Sequence, residues 1–214
     1  MISKDMSAVE RVNKAWDRID SWYAKNKPDE TLTEGVTDEQ INAVEKHIKL
    51  AFPEELRVSL KRHNGFNDWP ETRGYLFPLD VIQSEWQFWC EAVKEGDFDD
   101  CPPVEVPSDG SVQETWWCEG WIPIDGGDGI HNVIDLAPGP KGRVGQILFF
   151  NNEEGLSKVY PDYASYLEHV ADSIEKQGIN GEGDQSEEEG AEEAGEGEEE
   201  DEDEEDKKEK KVKI

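Results

Sequence analysis

Apolar residues recur at steps of three and four near the start of the chain: Ala8, Val9, Val12, Ala15, Trp16, Ile19, Trp22 and Tyr23. That period gathers them on one stripe and predicts a core-facing helix from about Ser7 to Asn26, stopped ahead of Pro28. Thr37-Asp38-Glu39-Gln40 has the form of a capping box, and Ile41, Val44 and Ile48 follow at helical spacing, so a second helix is expected from Asp38. A third is predicted from about Pro53 to His63, with Leu56, Val58 and Leu60 within it and Asn64-Gly65 able to adopt the left-handed turn beyond it.

Tyr75-Leu76-Phe77 reads as a short strand before Pro78. Asp80-Val81-Ile82-Gln83 then reads as the cap of a helix with Ile82, Trp86, Trp89 and Val93 on its inner face. From Gly96 to Gly110 the residues are mostly Asp, Pro, Gly and Ser, a loop composition.

The period changes at Trp121. Three β-prone runs, Trp121 to Ile124, Ile130 to Leu136 and Val144 to Phe150, are separated by two turns rich in Gly, Pro and Asp, the pattern of a meander. Leu156 to Tyr160 adds a further strand. Pro161 opens a last helix with Tyr163, Tyr166, Leu167, Val170 and Ile174 facing inward and Gly178 as its stop. The connections between strands are too short for helical crossovers, so the sheet is expected to be antiparallel and the class α+β.

Charge marks where this folded pattern ends. From Glu182 to Asp206 there are 17 acidic residues in 25 positions and no basic one, followed by a Lys-rich end from Lys207. Such a segment cannot bury enough apolar surface to offset the entropy of ordering it, so residues 179–214 are expected to form a disordered tail behind one globular domain, residues 1–178. Of the chain's 52 acidic and 22 basic residues, 34 and 17 precede Gly181, so the body is itself strongly acidic.

An acidic body and an acidic tail argue against direct contact with nucleic acid or an anionic membrane, both of which call for a basic face. A basic protein partner is the natural counterpart, with solubility as the simpler use of the same charge. Cys90, Cys101 and Cys118 form no pair at metal or redox spacing, which suits a reducing compartment. With neither a leader pattern nor an apolar run of about 18 residues, a cytoplasmic protein is expected.

Little local chemistry stands out. Asp125-Gly126-Gly127-Asp128-Gly129, near His131 and Asp135, offers oxygens to a cation but lacks the alternation of a calcium loop, and a hairpin turn explains the same residues. Gly139, Gly142 and Gly145 precede a strand, whereas phosphate-cradling loops lead into a helix. No nucleophile signature occurs, and neither a metal nor a cofactor is expected. Trp69, Trp116 and Trp117 sit in or beside loops, where large amphipathic rings often meet partners; with Asp125, Asp128 and Asp135 they make up the candidate partner-binding set.

In this order the pieces resemble the SUKH superfamily. The matching residues run from Gly35-Val36-Thr37-Asp38-Glu39-Gln40-Ile41 through Leu50-Ala51-Phe52-Pro53-Glu54-Glu55-Leu56 to His63-Asn64-Gly65. They continue with Trp121-Ile122-Pro123-Ile124, Asp135-Leu136-Ala137-Pro138-Gly139-Pro140, Gly145-Gln146-Ile147 and the closing helix Tyr163 to Ser173, so that the resemblance covers about residues 8–177. It implies a non-catalytic α+β domain that binds other proteins, as fungal cell-wall assembly regulators and bacterial toxin-immunity proteins do. Trp116-Trp117 is similar to bacterial members, and the acidic charge suits a basic toxin domain such as a nuclease. An immunity-type protein is therefore the first expectation, a regulatory scaffold of cell-wall assembly or stress signalling the alternative, and an unrecognised hydrolase or cation-binding domain the third. The acidic tail, and Tyr160-Pro161-Asp162-Tyr163 ahead of the last helix, depart from the usual family pattern.

Overall fold

The structure, a computed structural model, describes residues 6–29, 32–67, 75–127 and 129–177. The chain divides into two units, Met1–Gly183 and Asp184–Ile214, and the second lies wholly outside the described residues, as does all of the predicted tail. Among the described residues five helices, α1 (Ala8–Asn26), α2 (Asp38–Ile48), α3 (Glu54–Arg62), α4 (Leu79–Glu95) and α5 (Tyr163–Gln177), accompany one sheet. Its strands are β1 (Tyr75–Leu76), β2 (Trp121–Gly127), β3 (Ile130–Asp135), β4 (Gln146–Asn151) and β5 (Gly155–Tyr160). They lie in sequence order and every neighbouring pair is antiparallel, so the class is α+β as expected.

The helix starts follow their local chemistry. Ser7 and Thr37 each close a full capping box, Ser7 with Glu10 and Thr37 with Gln40. The Gln40 amide donates to Thr37 Oγ1 at 3.3 Å, and the Thr37 amide donates to Gln40 Oε1 at 2.8 Å. Thr37→Ala removes the acceptor of the Gln40 amide while the Thr37 amide keeps its bond to Gln40 Oε1, and should lower stability by about 1 kcal/mol, with Thr37→Ser losing much less; urea unfolding midpoints make the comparison.

Two starts differ from expectation. Asp80 lies inside the first turn of α4 rather than capping it, because Pro78 takes the cap position and provides no side-chain bond. At α5 the Ser165 amide donates to the Asp162 side chain at 2.8 Å, so Asp162 performs the capping that Pro161 was expected to begin.

Helices α1 and α5 are clamped together by arginines on α1. Arg11 Nε donates to Glu168 at 2.9 Å, and Arg18 donates through Nε to Glu175 at 2.9 Å and through Nη2 to Asp172 at 2.5 Å. Beneath these pairs the indole of Trp16 donates to Ser59 Oγ at 2.9 Å, and Ser59 in turn bonds the Tyr163 hydroxyl at 2.8 Å. One buried polar chain therefore ties α1, α3 and α5 into a single layer.

The sheet has apolar residues packed on both faces. Ile122, Ile124, Ile134 and Ile147 join the helix-side core of Trp16, Ile41, Leu56 and Tyr166, while Trp121, Val133, Leu148 and Phe150 join a second cluster with Trp89, Val112 and Trp117. Phe98, Val104 and Val106, in the segment expected to be plain loop, pack against that second cluster and cover it. α4 spans both: Leu79 and Ile82 belong to the first core, Trp89 to the second.

A register shift between Pro123 and Asp125 breaks the alternation of β2. Such a bulge re-aims the residues beside it. Ile124 and Asp125, consecutive in sequence, consequently both reach the helix side, Ile124 into the core and Asp125 to Tyr166. Gly126 follows with φ 134°, and a side chain there would stand 2.0 Å from the Ile130 carbonyl, so only glycine fits this close hairpin approach.

Candidate functional site

The bulge and the β2–β3 hairpin bring Asp125, His131 and Asn132 together as buried polar groups. Asp125 has no exposed surface. Its carboxylate accepts from the Asn132 amide at 3.0 Å, from Asn132 Nδ2 at 3.1 Å and from the Tyr166 hydroxyl. An acid in that position docks α5 onto the sheet, because each donor comes from an element the fold must hold in place.

Asp135 stands at the far end of β3, equally buried. It accepts from the Trp121 indole at 3.0 Å, the Ala137 amide at 2.9 Å and Gln146 Nε2 at 2.8 Å. Burial raises its pKa, against the pull of these three donors. Gln146 Nε2 also donates to the Ser111 carbonyl at 2.9 Å, which fastens the segment before β2 to the sheet.

Beside Asp125, on the second face, lies His131, 2% exposed. Its Nε2 accepts the Trp89 indole proton at 3.1 Å, which leaves Nδ1 to donate to the Asp125 carbonyl at 3.3 Å. The ring stacks on Phe150 at 6.1 Å and 5°, and Glu85 of α4 approaches Nε2 to 3.6 Å. Burial pulls the His131 pKa down to about 4 and pushes that of Glu85 up.

The fold therefore holds His131 neutral while an unfolded chain protonates it near 6.5. As pH falls from 6.5 to 4, the unfolded state takes up the proton first, and stability should drop by about 3 kcal/mol. Raised carboxyls such as Glu85 and Asp135 act in the opposite sense, gaining protons in the folded state on acidification. Comparing denaturant midpoints at pH 7 and pH 4 isolates the histidine: His131→Phe should be less stable at pH 7 yet lose less on acidification. Equal losses in both proteins would remove His131 as the source.

Three members of the candidate partner-binding set, Trp117, Asp125 and Asp135, are thus interior groups. Trp117 is 3% exposed, stacked on Trp89 at 5.6 Å and edge-on to Phe150 at 5.4 Å. The turn chemistry suggested a surface, but the bulge, the indole donors and the covering segment enclose these side chains. Trp116 remains partly exposed; it stacks on Phe98 at 5.6 Å and 9° and donates to the Pro102 carbonyl at 3.1 Å, which pins the covering segment. Trp69 and Asp128 lie outside the described residues.

The other chemical candidates resolve as structure. Among the described residues no group of three or more His, Cys, Asp or Glu is placed to hold a metal ion. Gly142 sits where a side chain would meet the Ser111 carbonyl at 2.1 Å, so the Gly139–Gly145 stretch is a turn packed against the segment before β2. Burial pushes the Cys90 thiol up to about 11 and the Cys118 thiol upward too, which keeps both protonated and unreactive at neutral pH. No helix among the described residues is long and apolar enough to cross a membrane.

The sequence pattern missed one open surface. Trp86 packs against the helix-side core as expected of the inner face of α4, but Val93, expected there too, is 42% exposed, and with Trp86 and Cys90 it walls a groove of about 630 Å³. The signal was present: Ile82, Trp86, Trp89, Cys90, Ala92 and Val93 occupy more of the helix circumference than one buried stripe requires.

A five-stranded antiparallel meander closed by α5 and layered with α1 and α3, its interior acids bonded to neighbouring strands and helices, is the α+β domain of the SUKH type. The chain belongs to the SMI1/KNR4 family (SUKH-1), whose family model matches residues 35–169. Among its relatives is the cell wall biosynthesis/cell cycle regulator smi1 of Schizosaccharomyces pombe, 29% identical over 182 residues that cover 77% of this chain and 36% of that protein. The glucan synthesis regulatory protein of Neurospora crassa is 26% identical over 204 residues, covering 76% of this chain and 38% of that one. The cell wall assembly regulator SMI1 of Saccharomyces cerevisiae is 25% identical over 178 residues, covering 65% and 35%. The chain thus spans little more than a third of the length of these relatives.

Proposed function

We propose that this chain is a non-catalytic protein-binding domain that acts as a regulator through its partners, in the manner of cell-wall assembly regulators. The observation that carries the reading is the family match across residues 35–169 together with relatives described as regulators of wall biosynthesis, glucan synthesis and wall assembly. The internal use of Asp125, His131 and Asp135 supports it, since each is engaged in holding the fold. The partner is a protein, and the excess of 34 acidic over 17 basic residues before Gly181 favours a basic one. The immunity-type role that headed the sequence expectations has that charge as its support, whereas the named relatives favour the regulatory alternative.

A chimera tests the proposal. Residues 6–177 replace the matching segment of the fission-yeast relative in a strain lacking that relative, and growth is scored in the presence of a wall-digesting glucanase. Restored resistance is the expected result. A chimera that accumulates to normal levels and restores nothing would overturn the regulatory reading.

A further inference from the structure

Where α4 meets β3, two hydrogen-bond acceptors face each other with one hydrogen between them. His131 Nδ1 points at the Asp125 carbonyl, which can only accept, so the hydrogen of the neutral ring sits on Nδ1 and Nε2 presents a lone pair. Opposite Nε2, at 3.6 Å, stands Oε2 of Glu85. The Trp89 indole serves both: it donates to Nε2 at 3.1 Å, and its hydrogen bond to Glu85 opposes the upward push of burial on that carboxyl. The contact between Nε2 and Oε2 lacks a hydrogen of its own, and a proton placed there turns it into a charge-assisted bond.

The surroundings leave this pair to itself. Phe77 beyond β1 and Phe150 of β4 pack on the imidazole and carry no charge, and β2 meets it through the Asp125 carbonyl. The Asp125 carboxylate turns to Tyr166 on the opposite face of the sheet, so Glu85 is the charged group that meets the ring among the described residues. Glu85 and Trp89 lie four positions apart and therefore project from one side of α4. The Glu85 side chain is 31% exposed and that of His131 only 3%, so water reaches the pair through Glu85.

We propose that Glu85 and His131 form a one-proton switch: on acidification a single proton enters from water between Oε2 and Nε2, the imidazolium donates to the carboxylate, and the Trp89 indole moves its hydrogen bond from Nε2 to Glu85. Trp89 carries the change outward. Its ring stacks on Phe98 at 6.2 Å and 22°, Phe98 stacks on Trp116, and Trp116 holds the Pro102 carbonyl. Re-aiming the indole loosens that stack, so the covering segment opens locally while α1 and α5 stay closed. The Asp99 and Cys101 amides, bonded to the Gly96 and Phe98 carbonyls at 3.0 and 3.1 Å, report the opening.

The test is an NMR titration of the full chain from neutral pH down to the onset of acid unfolding, following the His131 ring, the Trp89 indole N–H and the exchange protection of Asp99 and Cys101. In the wild type all of them should change in one step, at a pH above the value of about 4 that burial alone gives His131. In Glu85→Gln the step should need at least about tenfold more acid, or be overtaken by unfolding, because the counter-charge is gone. Glu85 is partly exposed, so this variant keeps the fold. Glu91→Gln removes the same charge from an exposed position on α4 and should leave the step in place.

A wild-type ring that stays neutral until the whole domain unfolds overturns the proposal. So does an unchanged step in Glu85→Gln, an equal displacement in Glu91→Gln, or an indole signal that does not move with the ring. Loss of Asp99 and Cys101 protection at the same pH in His131→Phe overturns the link from the pair to the covering segment.

Discussion

Asp125→Ala is expected to lower the unfolding free energy by about 4 kcal/mol, enough to threaten folding in a domain of ordinary stability. The substitution removes one acceptor group and strands three donors at once: the Asn132 amide, the Asn132 side chain and the Tyr166 hydroxyl. Each is enclosed where Asp125 itself has no exposed surface, and an unsatisfied buried donor costs about 1–3 kcal/mol. Asp125→Asn keeps one acceptor oxygen and should lose roughly half as much, because one donor then faces an amide N–H. Urea unfolding followed by tryptophan emission gives the numbers. A loss below about 1 kcal/mol for the alanine variant would mean that water or a rearranged Tyr166 replaces the carboxylate, and the docking role assigned to Asp125 would be wrong.

Trp121→Ala should cost about as much for a different reason. The side chain is fully buried in the second core, edge-on to Trp117 at 5.7 Å, and its indole supplies one of three donors to Asp135. Truncation leaves a cavity under the covering segment and withdraws a donor from a buried acid, with an expected loss of about 3–5 kcal/mol. Trp121→Phe separates the two effects by restoring most of the ring without the N–H, and about 1–2 kcal/mol should remain lost. Thermal unfolding of the three proteins side by side checks the order. If the phenylalanine variant is as stable as the wild type, the Trp121–Asp135 bond contributes nothing net, and packing alone explains the residue.

Both expectations concern groups whose identity was plain in the sequence and whose role was not. Asp125 and Asp135 stood out because they flank turns rich in glycine, and such residues usually face water. What placed Asp125 inside is the register shift between Pro123 and Asp125, a local irregularity with no marker in an alternating pattern, and what encloses Asp135 is the set of donors from Trp121, Ala137 and Gln146. Trp89 and His131 are 42 positions apart, so their hydrogen bond has no local signature either. The covering segment shows the same limit: its Pro, Asp and Gly residues forbid regular structure, but its few apolar residues, Phe98, Val104 and Val106, suffice to close the second core.

Periodicity by itself determined the helices, the order of the strands and the antiparallel class, since a period of 3.6 or 2 and the length of a connection are properties of neighbouring residues. The ordered motifs also determined the family, which the match over residues 35–169 then established. Tertiary structure alone decided which polar residues are interior and which apolar ones are left open. Burial depends on what packs over a residue from elsewhere in the chain, as Tyr166 meets Asp125 and Trp89 and Phe150 pack on Trp117, whereas Val93 is left 42% exposed.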